Sequence, residues 1–260
     1  MPKIYYNIEN NLTTGLNETL ELSVRTDFCV GYFNLRGWKE VAEKIDQLEG
    51  EIVKEETGEI LRTCRLLVGM QKLPVDILKS YFIEDQDYML DQAEALKLKK
   101  KLAQEFKDQL TIGTPTESDE LSLRKLSRQM KEKKVVVKLH LRYTLHAKLY
   151  LAYSHDKRVP TVGFLGSSNL TLAGLSKQGE LNIDVLEQDS AVKLSKWFND
   201  RWNDRWCIDI TGELIAIIDN SWAAERLLSP YYIYLKMAYH LSQEARAGLN
   251  EFKIPVAFRK

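Results

Sequence analysis

The sequence predicts an α/β protein, and three observations point there. The first third alternates apolar strand-like runs with a helical pattern. A block from 135 to 186 is rich in short β-branched and aromatic runs. Between and after these, apolar residues recur at helical spacing.

Taken in order, Asp27 to Phe33 (DFCVGYF) has the content of a buried strand, and Asn34 to Gly37 that of a turn. Trp38, Val41, Ala42, Ile45 and Leu48 then follow helical intervals up to Gly50. Arg65 to Met70 (RLLVGM) is a second buried strand, and strand, crossover and strand suggest a parallel pair. The middle third reads as charged helix, over Tyr88 to Leu110 and again over Leu121 to Met130, with Ser118 as the expected N-cap. Val135 to Leu141, Thr144 to Tyr153, Thr161 to Leu165 and Leu181 to Leu186 are expected strands. Val192, Trp197, Phe198, Trp202 and Trp206 mark a helix with an aromatic core face. Two further helices, Glu213 to Leu227 and Tyr231 to Leu249, suggest a domain over 1–210 followed by a helical extension over 211–260.

Composition narrows the function. In 260 residues, 44% hydrophobic and 28% charged is globular chemistry. Lys and Arg number 37 and so do Asp and Glu, so a nucleic-acid site must be a local patch and not a global field. No apolar run reaches the ~18 residues of a membrane span, and Met1 to Asn10 lacks the order of a signal peptide. Cys29, Cys64 and Cys207 are too far apart for a CxxC site, which favours a reducing cytoplasm over a disulfide or zinc framework. The most basic stretch holds Arg124, Lys125, Arg128, Lys131, Lys133 and Lys134. Two readings stand for it: a solvated helix face, since acidic residues adjoin it, or the approach to a phosphate-binding cleft.

The chemistry concentrates between Leu145 and Asp184. His146 and Lys148 stand two apart in an extended run, so both leave the same face. Gly166-Ser167-Ser168-Asn169 follows at a strand end, with glycine for a tight turn and hydroxyl and amide groups as donors. Glu180 then opens the LNIDV run, with Asn182 and Asp184 on its own face. Together these suit a phosphodiester: cationic and hydrogen-bonding groups for transition-state charge, an imidazole to attack phosphorus or deliver a proton, and a carboxylate to orient it.

HAKLYL, GFLGSSNLTLAGL and ELNIDV in that order resemble the phospholipase D superfamily, in the nuclease branch, and within it the N-terminal domain of bacterial superfamily-two helicases. GYFNLRGW at 31–38 and WFNDRW at 197–202 fit the same group. The resemblance implies a phospholipase D-like α/β/α sandwich with a mixed, largely buried central sheet, and metal-independent chemistry through a phosphohistidine, without cofactor. It implies His146, Lys148, Ser167, Asn169 and Glu180 as the catalytic set. One position departs: the family's common Asp, five residues after the Lys, is Tyr153 here. Family chemistry uses two HxK motifs and this chain has one; His140, His155 and His240 lie outside any such motif. The second imidazole is therefore expected from another copy, in a homodimer with one composite site. DNA is the substrate the resemblance implies, and SPYYIYLKMAYHL at 229–241 resembles the connector to a helicase core. A catalytically silent DNA-binding and dimerisation module, and a lipid-directed phospholipase, are the alternatives.

Overall fold

The computed structural model describes residues 2–55, 58–69, 104–111, 115–224 and scattered positions between 231 and 242. Its centre is an eight-stranded sheet of order β1-β9-β8-β7-β2-β5-β6-β10. The strands are β1 (Ile4–Tyr5), β2 (Arg25–Val30), β5 (Cys64–Val68), β6 (Val135–His140), β7 (Leu149–Tyr153), β8 (Thr161–Gly166), β9 (Asn182–Val185) and β10 (Cys207–Asp209). β3 (Glu51–Glu55) and β4 (Gly58–Arg62) form a separate hairpin. β2, β5 and β6 run parallel and every other pair in the large sheet is antiparallel, the mixed sheet expected.

Alternation along the strands sends the two sets of side chains into different cores. One face, with Phe28, Leu66, Val137 and Tyr150, packs under helices α1 (Leu12–Leu20), α2 (Ala42–Gln47), α3 (Glu117–Lys131) and α5 (Thr211–Asp219), and under helical residues 104–111. The other, with Cys29, Leu67, Leu149 and Leu151, packs under α4 (Gln188–Trp202) through Phe198 and Trp202. Leu12, Leu16 and Leu20 show how α1 earns its place: at i, i+4 and i+8 they form one apolar stripe, all buried.

Several expectations change in detail. The helix expected from Trp38 is broken into a 3₁₀ segment, Leu35–Glu40, and α2, because Asn34 caps the first through the Arg36 N–H. Thr116, not Ser118, caps α3, in a reciprocal capping box with Asp119. The hairpin β3–β4 and the short strand β10 carry no strong periodic signal of their own. α5, expected to begin an extension, instead puts Leu214 and Ile218 in the main core, and Ala223 is also buried there, so the packed body continues past 210. Most of the expected helix over 88–110, all but 104–110, lies outside the described residues. So do His240 and most of the expected connector helix.

Candidate active site

Strand directions bring the chemistry-bearing segments to one edge of the sheet. β2, β5, β6 and β8 end there, and β7 and β9 begin there. The chain leaving β6 crosses above the ends of β5 and β2 to reach β7, and His146 and Lys148 lie in that crossing. They precede the strand instead of lying within it as expected, since β7 starts only at Leu149. The crossing is pinned where the Leu145 N–H donates to the Gly69 carbonyl at 3.2 Å. A Cβ at Gly69 would stand 2.3 Å from the Leu145 carbonyl oxygen, so only glycine permits the approach.

Lys148 is 4% exposed and His146 is exposed. The Lys148 Nζ lies 2.9 Å from Nδ1 and 3.0 Å from Nε2 of His146, and it donates to the His146 carbonyl at 3.0 Å. The two ring nitrogens point apart in the ring plane, so a cation nearly equidistant from both lies over the ring face. The in-plane approach to the ring nitrogens is thus left open. Burial lowers the Lys148 pKa from the ordinary lysine value, while the nearby Glu180 carboxylate opposes that shift. A shielded ammonium of this kind is a strong partner for an incoming anion.

The turn after β8 is held just as firmly. The Asn182 carboxamide grips Ser168 twice: Oδ1 accepts from the Ser168 N–H at 3.2 Å, and Nδ2 donates to Oγ at 2.8 Å. Tyr150 donates its hydroxyl to the Ser168 carbonyl at 2.9 Å. Ser167 bonds to the backbone of Leu181 through its own N–H and through its hydroxyl, which accepts the Leu181 N–H at 3.0 Å. A Cβ at Gly166 would fall 2.2 Å from the Leu181 carbonyl, so this close docking also requires glycine. Asn169 accepts the Tyr32 N–H through Oδ1 at 2.8 Å, which orients its amide and ties the turn to the end of β2.

Glu180 lies in the loop before β9 and not in the strand. That loop is moored from the N-terminal segment: the Asn7 amide donates to the carbonyls of Gly174 (2.8 Å) and Gln178 (3.1 Å), from a left-handed backbone with φ of 58° that suits asparagine. The expected hydrogen bond from Glu180 to His146 is not formed. The carboxylate acts through space on Lys148 and Tyr150.

The basic stretch is not brought to this edge. β6 begins at Val135 beside Cys64, at the far end of the sheet, so Lys131, Lys133 and Lys134 sit at the opposite edge from His146. Its charges are also largely matched within the fold. Arg128 pairs with Asp46 (2.6 Å), Lys131 with Asp219 (2.8 Å) and Lys134 with Glu132 (3.1 Å). Lys125 pairs with Glu43, and Arg124 pairs with Glu120 and donates to the carbonyls of Ala223 and Ala224, both at 3.0 Å. Of the two readings, these pairs favour the helix face: α3 meets its partners on α2 and α5, and its basic residues supply the pairing. Tyr153 likewise stands at the far end of β7, its hydroxyl 2.9 Å from Ser195 Oγ and its ring under Arg25. The replaced family position is thus remote from His146 in this fold.

Three functional contributors escaped the sequence reading: Asn182 as the clamp on the turn, Asn7 as the mooring of the Glu180 loop, and Tyr32 as the donor to Asn169. Asn182 carried a signal, an amide buried among apolar residues in a period-two run. Among the described residues no three His, Cys, Asp or Glu side chains converge, and none of the helices is long and apolar enough to cross a membrane.

Comparison with known proteins gives the site a context. Residues 74–202, just under half of the chain, match the family described as cardiolipin synthase, PLD-like domain. A search of curated proteins found no match. Similar solved structures include Nuc, a phospholipase D family member from Salmonella typhimurium, at 10% identity and TM-score 0.43, covering 80% of this chain and 97% of that one. NucT from Helicobacter pylori matches at 8% identity and TM-score 0.42, covering 80% and 98%. Phosphatidylserine synthase from Haemophilus influenzae matches at 16% identity and TM-score 0.44, covering 96% of this chain and 46% of its own.

Proposed function

We propose that the phospholipase D-like domain of this chain is a metal-independent phosphodiesterase that cleaves DNA, its site completed by a second copy of the chain. One observation carries the reading. A shielded Lys148 ammonium lies over an exposed His146 ring, at the sheet edge where the Ser167–Asn169 turn and Glu180 also stand.

His146 attacks phosphorus in line through a ring nitrogen, forming a P–N bond as the bond to the leaving sugar oxygen breaks. His146 of the partner subunit, protonated, gives its proton to that oxygen. Lys148 and Asn169 bear on the charge of the pentacoordinate state, with the Ser167 turn held rigid beneath them. As the ammonium moves from the ring face to a phosphate oxygen, Glu180 keeps it cationic and gains access to the imidazole it orients. Water then attacks phosphorus, surrendering a proton to the second imidazole, and the P–N bond breaks to restore His146.

The test pairs labelled oligonucleotides with a phosphatidyl substrate, each assayed in EDTA, for the wild type and His146→Ala. Oligonucleotide cleavage should persist in EDTA, vanish in the variant, and pass through an acid-labile phosphoprotein. Cleavage that requires magnesium, or turnover by a strict monomer in light scattering, overturns the mechanism. Phosphatidyl hydrolysis alone reassigns the substrate to lipid, and tight DNA binding without turnover makes the chain a silent module. The helicase core implied by the resemblance is a further proposed partner, to be sought by co-purification with the full-length protein.

A further inference from the structure

The loop that joins β6 to the His146 segment has a construction that the chemistry above does not use. Both of its ends are fastened to the sheet: the Leu141 N–H donates to the Trp206 carbonyl at 3.0 Å, and the Leu145 N–H to that of Gly69 at 3.2 Å. Leu141 and Leu145 are buried, and only Arg142, Tyr143 and Thr144 project between them. Arg142 is held sideways by Asp204 at 3.3 Å. Tyr143, at the crest, is 47% exposed.

What lies beneath Tyr143 is unusual for a surface loop. His140 is 2% exposed, and its ring meets the Tyr143 ring edge-on, with centroids 4.6 Å apart and planes at 61°. Its Nδ1 lies 3.3 Å from the Tyr143 carbonyl, and its buried Nε2 has no hydrogen-bond partner. A buried polar atom left unpaired is costly, and an apolar side chain would avoid the cost. The imidazole is therefore placed for what it does to Tyr143: it holds backbone and ring together and fixes one orientation of the aromatic plane. Burial also keeps His140 in its neutral form, in which a single N–H can donate to that carbonyl.

An aromatic ring braced at a loop crest, three residues before the attacking imidazole, matches the requirement for stacking a base. Three residues of chain span at most about 10 Å, a distance that one to three nucleotides of a strand cover. We infer that Tyr143 is the stacking platform for a base flanking the scissile phosphate, with His140 its positioning residue. This rests on the reading of the site as acting on nucleic acid. It gives that reading a recognition device, since stacking on an aromatic face is open to every base.

The experiment measures binding and cleavage of two fluorescent single-stranded oligonucleotides, one normal and one with abasic sites on either side of the scissile step. Each is tested with the wild type, Tyr143→Ala and Tyr143→Phe. Tyr143→Ala should raise Kd and KM for the normal strand by about 5- to 150-fold, the range expected for one stacked base. Tyr143→Phe should stay within about two-fold of the wild type, because the ring and not the hydroxyl stacks. On the abasic strand the wild type should lose its advantage over Tyr143→Ala. His140→Leu should weaken binding in part, and more on the normal strand. Equal loss on both strands, or a normal strand bound and cleaved as well by Tyr143→Ala, overturns the inference while leaving the phosphodiesterase reading intact. A wild type that neither binds nor cleaves either strand overturns both.

Discussion

Replacing Asn182 by Ala removes a clamp and nothing else of size, which makes it the sharpest probe of how the candidate site is held. The side chain is 2% exposed and Ser168 is wholly buried, so no water replaces the two hydrogen bonds of 3.2 and 2.8 Å. Each bond contributes about 1 kcal/mol net, and each buried partner left unsatisfied costs about 1–3 kcal/mol. Since partial relaxation recovers some of this, the expected loss is about 2–4 kcal/mol, or roughly 5–15 °C in Tm for a domain of this size. The effect on turnover should be of the same order as the effect on stability. Ser167 and Asn169 flank Ser168, and a displacement of about 1 Å at such groups costs about 100-fold in rate. Urea unfolding gives the first quantity, and cleavage measured well below the melting range gives the second. If Asn182→Ala unfolds with the wild type, the clamp has been misread. If it is destabilised as expected but keeps turnover within two-fold, the turn does not position the chemistry.

Other consequences follow from the same network of contacts. Asp27, with no exposure, accepts a bidentate pair from Arg65 at 2.6 Å twice and a third bond from Arg25 at 3.0 Å. Asp27→Ala should cost about 3 kcal/mol in urea unfolding by leaving Arg65 without its carboxylate, and Asp27→Leu with Arg65→Met should recover a large part of it. Tyr153→Phe should lose the hydroxyl's bond to Ser195 and its interaction with Asp27, about 1–2 kcal/mol, and leave turnover within two-fold, because five residues of strand place it about 16 Å from Lys148; a large rate loss would return that position to the active site. Burial depresses the His140 pKa below its ordinary 6.5, so as pH falls below 6.5 the unfolded chain binds the proton first and folding weakens, until the folded-state value is passed. The drop in urea midpoint between pH 7.5 and 5.5 should be smaller in His140→Phe than in the wild type, and equal drops would remove His140 from the acid response.

The sequence alone determined the parts that depend on local pattern. The parallel pairing of the segments around Cys29 and Leu67 followed from strand, crossover and strand. His146, Lys148 and the GSSN turn were legible because their residue types lack an ordinary structural role in such runs. What tertiary structure decided was placement. Whether Lys131, Lys133 and Lys134 face the site depends on the direction of β6, which puts them at the opposite edge; Arg128 and Lys131 meet acidic partners on α2 and α5, and no run of charges in a chain announces partners 80 residues away. The mooring of Glu180 by Asn7 joins positions 171 residues apart for the same reason. Spacing along a chain sets which face a side chain leaves, but only the packing of distant segments sets what that face meets.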